Sequence, residues 1–147
     1  MKHLLILIVA VAGAGIPLQV AANKRLEKAV ESPALAVSLS FLVGAVAMIA
    51  LTYSGWLGRG KLSGAASAPW WAWAGGVLST AVVVASIVAL PQAGTGAVVA
   101  ATVFGQLLAA AVLDHFGWLD VPQIRVNAWR VGGAILLLAG ALMMQKK

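Results

Sequence analysis

Five stretches of about twenty mostly apolar residues, separated by short polar breaks, fill most of this 147-residue chain. A helix needs ~20 such residues to cross the hydrocarbon core of a bilayer. The stretches lie at about residues 3–23, 33–54, 69–90, 96–114 and 127–144. Inside lipid no water is present to satisfy backbone N–H and C=O groups, and a helix is the open-ended way to satisfy them all internally. The expected fold class is therefore an all-α membrane protein, a single domain over residues 1–147 with five transmembrane helices. Composition agrees: 62% of residues are apolar and 10% charged, where a soluble domain has about 45–50% and 25%. That balance excludes a soluble enzyme and a disordered chain. With no cysteine, disulfides, thiolate metal sites and cysteine nucleophiles are excluded too.

Local signals sharpen the boundaries. Lys24, Arg25 and Lys28 close the first span. Ser32 suits an N-cap, and Pro33 at the first helical position gives up no hydrogen bond. A tight turn is expected at Pro91–Gly96, and the Gly/Ser-rich stretch 58–68 is the long flexible link. Lys2, the apolar run and Val20-Ala21-Ala22 resemble a secretory signal. Pro17 and Gln19 interrupt that run and its loss would remove a span, so an uncleaved first helix is expected. The tryptophans at 56, 70, 71, 73, 118 and 129 fall in loops or at span starts, all on the N-terminal side, as an interfacial belt does.

The net charge of +6 does not point to nucleic acid, because basic residues between apolar spans sit at lipid headgroups. Orientation in a membrane follows the side richer in Lys and Arg. Here Lys2, Arg59, Lys61, Arg125 and Arg130 face one side; Lys24, Arg25, Lys28, Lys146 and Lys147 face the other. Five against five leaves no bias. The expectation is dual topology, with oppositely inserted copies pairing as an antiparallel homodimer of ten helices, the inverted-repeat geometry many transporters share. A small excess hidden by the boundaries, giving one orientation, stays open.

The order of short motifs then becomes informative. Gln19-x-x-x-Asn23 is followed by Ser32-Pro33, Ser40-Phe41 and Gly44, then by Pro69-Trp70 and Gly75-Gly76. Next come Pro91 with Gly94, Gly105-Gln106-Leu107, Asp114-His115-Phe116-Gly117, and Arg130-x-Gly132-Gly133 with Leu138 and Gly140. Together these resemble the YdcZ-type branch of the drug/metabolite transporter superfamily, a group of small bacterial inner-membrane proteins. The resemblance implies a five-helix unit equivalent to half of a ten-helix transporter, working as a pair. It implies no substrate. Small multidrug exporters of the same superfamily carry a carboxylate inside the first helix, and here Gln19 is the nearest polar group.

Polar groups inside a membrane are costly and mark candidate sites. Gln106 sits near the middle of its span, and its amide both donates and accepts, which suits a polar neutral or zwitterionic solute; an interhelical hydrogen bond is the equal alternative. Gln19 and Asn23 share a helix face, beside a kink expected where Pro17 frees the carbonyl of Gly13. Gln19 reads as a solute contact and Asn23 as either a solute contact or a helix cap. Ser40 and Trp73 complete the candidate substrate-binding set, Trp73 also fitting the interfacial belt. Small residues at four-residue spacing are expected to pack helices: Ala36, Ser40 and Gly44; Gly76 and Thr80; Ala101, Gly105 and Ala109; with Gly133 and Gly140 seven apart. Asp114-His115 is a candidate proton-coupling pair, or an exposed interfacial one.

No nucleophile–base pair, metal cluster or phosphate loop is present, and residues 55–64 lack the Gly-Lys-Ser/Thr ending of a P-loop. No enzyme activity, cofactor or metal is expected. The partners expected are a second copy, the bilayer and a small solute moved by alternating access. An accessory or sensor subunit, or half of a heterodimer, are the alternatives.

Overall fold

The computed structural model describes residues 2–56, 58 and 60–145. Among them the regular structure is all helical: α1 (Lys2–Gly13), α2 (Gly15–Val30), α3 (Pro33–Ser54), α4 (Ala74–Phe116) and α5 (Ala128–Gln145), with short 3-10 turns at Leu62–Ser67, Trp70–Trp73 and Trp118–Asp120. Three helical segments are long and apolar enough to cross a membrane: His3–Val30, Pro33–Ser54 and Trp70–Phe116; Ala128–Met143 is a shorter apolar helix. The chain divides into two compact units, one of residues up to Leu18 together with those from Ala89 onward, the other Gln19–Val88.

The break between α1 and α2 falls at Ala14, whose N–H is shared between the carbonyls of Ala10 and Val11 at 3.2 Å each. Pro17 has no N–H to return to Gly13, and the flanking glycines hold helix weakly. The kink therefore sits where proline chemistry puts it. α2 then continues through Lys24, Arg25 and Lys28 to Val30, beyond the expected stop near Asn23, because these basic residues favour helix. Glu31 turns the chain with φ 55°. Ser32 caps α3, its Oγ accepting from the Leu35 N–H at 3.2 Å, with Pro33 in the first turn. Gly55 ends α3 in the left-handed region. The link after it is not featureless, since Leu62–Ser67 coils into a 3-10 turn.

The break expected within Pro91–Gly96 is present, and it is narrower than expected. Helix runs through Pro91, and the backbone leaves helical geometry at Gly94 alone, with φ 75° and ψ 161°. A proline inside a helix removes one hydrogen bond that neighbours can compensate, whereas that φ/ψ pair is open essentially to glycine only. Helix α5 begins after Asn127, whose Oδ1 accepts from the Arg130 N–H at 3.0 Å.

In the unit Gln19–Val88 the buried residues are Val20, Ala36, Val37 and Ile87 with the polar Asn23 and Ser86; in the other unit they are Ala97, Val98 and Ala141. Large apolar side chains elsewhere are mostly exposed, as expected where acyl chains replace water as solvent. Hydroxyls along the helices are satisfied within their own turn: Ser38, Thr52, Thr80, Ser86 and Thr102 each donate to the carbonyl four residues earlier. Such back-bonding lets a polar side chain sit in an apolar setting without a partner on another helix.

Candidate functional site

A cleft of about 740 Å³ opens within the unit that contains α5. One wall is Gly96, Val99, Ala100, Val103 and Phe104 of α4; steps of three and four place these on a single helix face. Leu136, Leu137, Gly140 and Ala141 repeat the pattern on α5, and Met143 and Pro17 also line the cleft. Thr95, next to the Gly94 break, is the single polar side chain on it. The cleft can hold an apolar body by dispersion and desolvation, with no charge to neutralise. Sequence reasoning missed it because helices that are apolar all round show no contrast between faces, so the 3.6-residue period of the wall carries no signal against its background.

Of the candidates from sequence, Gly140 lines this cleft and Gln106 does not: Gln106 lies on α4 beyond Phe104 and is exposed. Gln19 is exposed on α2, Ser40 is half-buried on α3, and Trp73 is exposed in its 3-10 turn. Asn23 caps no helix end, since α2 passes through it. It is 3% exposed, and its Nδ2 has no hydrogen-bond partner. One turn further, Glu27 pairs with Lys24, both side chains about one-fifth exposed.

Among the small residues expected to pack helices, Ala36 is fully buried. Gly44, Gly76, Thr80, Ala101, Gly105, Ala109 and Gly140 are exposed and Gly133 is half-buried. A Cβ added at Gly44, Gly76, Gly105, Gly133 or Gly140 meets nothing within 4 Å, so within the chain these glycines do not serve close backbone approach.

Asp114 and His115 end α4 in a dense set of contacts. Asp114 Oδ2 accepts from Arg130 Nη1 of α5 at 2.8 Å, each side chain about one-third exposed. The Asp114 carbonyl accepts from the Ile124 N–H at 2.7 Å. The His115 carbonyl accepts from Gln123 Nε2 at 3.0 Å, and its Nδ1 accepts from the Val126 N–H at 3.2 Å. The last carbonyls of a helix lack intrahelical donors, and the segment after α4 supplies them. Arg130, which entered the sequence reading only through a motif and the charge count, and Gln123 were not site candidates, since each lies many residues from the group it binds. No cluster of metal-ligand side chains occurs among the described residues.

Three apolar helical segments of crossing length, with a cleft between α4 and the shorter apolar α5, are those of a membrane protein. Over residues 4–143 the sequence matches the family described as "Putative inner membrane exporter, YdcZ", and the chain belongs to it. This is the family its motifs resemble, and its description is of an inner-membrane exporter. No curated protein and no solved structure matches the chain.

Proposed function

We propose that the chain is one protomer of a bacterial inner-membrane exporter for a small solute with a largely apolar body. The cleft carries this reading. Its volume lies in the range of small-molecule sites, about 300–1,000 Å³, and its walls are apolar except at Thr95. In this proposal the chain crosses the membrane five times. Trp70–Phe116, at 47 residues, is roughly twice what one crossing requires, and Gly94 is the turn between its two halves. Two oppositely inserted copies pair as an antiparallel dimer, and the exposed small-residue stripes at Gly44, Gly76, Thr80, Ala101, Gly105 and Ala109 suit close contact with a second copy. Transport is by alternating access. Gln106 supplies a polar contact past the end of the cleft, with Gln19, Asn23, Ser40 and Trp73 as further solute contacts.

The test uses a neutral lipophilic dye, Nile red, preloaded into cells. Cells producing the chain should lose dye faster than cells without it. Val103→Trp, which fills the cleft, should abolish the difference at equal membrane abundance. Equal efflux with and without the wild-type chain, or full efflux from the tryptophan variant, removes the cleft from the mechanism.

A further inference from the structure

We propose that His115 is a pH-sensitive catch that holds residues 117–127 against the end of α4, independently of what the chain carries. Four contacts fasten this strap and the start of α5: Ile124 N–H to the Asp114 carbonyl, Gln123 Nε2 to the His115 carbonyl, Val126 N–H to His115 Nδ1, and Arg130 to Asp114. Three of them tolerate a proton on the imidazole. The fourth does not. A ring nitrogen that accepts from a backbone N–H carries no proton of its own, so the neutral ring has its proton on Nε2. Protonation turns Nδ1 into a donor facing the Val126 donor, and the ring or the strap must move.

The strap is built to move when released. It starts at Gly117 (φ 64°), where an added Cβ would stand 3.2 Å from the Gln123 Cβ. It continues through Leu119 and Asp120 at φ 60° and 61°. Left-handed conformations at non-glycine residues are held only where surrounding contacts over-determine them, and the catch is one of those contacts. The strap then runs into Asn127, the cap of α5, so its position sets where α5 begins.

Four charged groups stand on the elements packed against the ring. Asp114 precedes it on α4 and is shared with Arg130 of α5; Asp120 and Arg125 lie exposed on the strap. Imidazole exchanges its proton between about pH 5 and 8. The contact belongs to the neutral ring, so the strap is fastened at the upper end of that window and released as pH falls.

Hydrogen exchange of the full chain in lipid nanodiscs, corrected for intrinsic rates, reads this directly. At about pH 8 the strap amides over residues 121–127 should be about fivefold better protected than at about pH 5, the size expected for one hydrogen bond. His115→Asn places an acceptor oxygen where Nδ1 stands and should keep the strap protected at both pH values. His115→Phe should leave it poorly protected at both. Equal protection of the wild-type strap across the window overturns the proposal. So does a pH response that persists in His115→Asn, which would assign the switch to Asp114 or Asp120.

Discussion

Asn23 sets burial against chemistry. An amide that is 3% exposed with an unpaired Nδ2 costs about 1–3 kcal/mol relative to a satisfied or apolar group. Asn23→Leu, close to it in shape, should therefore raise the thermal unfolding midpoint in detergent. If the amide is kept for the solute, the same variant should lose export. A gain in stability with export intact would make Asn23 a mere flaw in packing. The sequence marked Gln19 and Asn23 correctly as sharing a helical face, since that follows from spacing alone. It did not reveal that one is exposed and the other shut in, because burial depends on what the helix meets. The Asp114–Arg130 pair was hidden for a similar reason: an interaction across sixteen positions leaves no periodic trace.

The helices themselves were legible, because length and hydropathy decide them; the interruptions were less so. Pro17 broke α1 from α2 as expected, and the break expected over Pro91–Gly96 narrows to Gly94, with Pro91 itself in helix. The difference is one of cost. A proline gives up a single bond, whereas φ 75° and ψ 161° exclude a side chain. Gly94→Ala should destabilise by about 1–3 kcal/mol, measured by thermal unfolding in detergent. Gly132→Ala is the control: it sits in regular helix of α5 with open space about its Cβ, so it should be neutral or stabilising by up to about 1 kcal/mol. Loss of stability in both variants would mean that the cost at Gly94 does not come from its φ/ψ.

Ion pairing preserves the balance of charge across the chain. Arg130 is paired with Asp114, and Lys24 with Glu27, so each side of the proposed topology has one cation offset by an acid. Dual insertion then predicts that a cysteine added beside Lys147 is labelled by a membrane-impermeant maleimide in about half the copies in intact cells, since equal Lys and Arg counts give no preference. Replacing the exposed Arg25 and Lys28 by Gln leaves three cations against five and should drive labelling towards all or none. Labelling that is uniform in the unaltered chain would end the antiparallel proposal and favour a differently oriented partner. Gly94 has a consequence for how the chain is made. Between Lys61 and Asp114 the sequence holds no charged residue, so the segment leaves the ribosome without an ionised side chain around its one helical break. Carrying that break through the membrane requires backbone groups and the neutral side chains of Gln92 and Thr95 to be desolvated, but no charge, and a segment of that kind can be handed to the bilayer as a folded pair from either face.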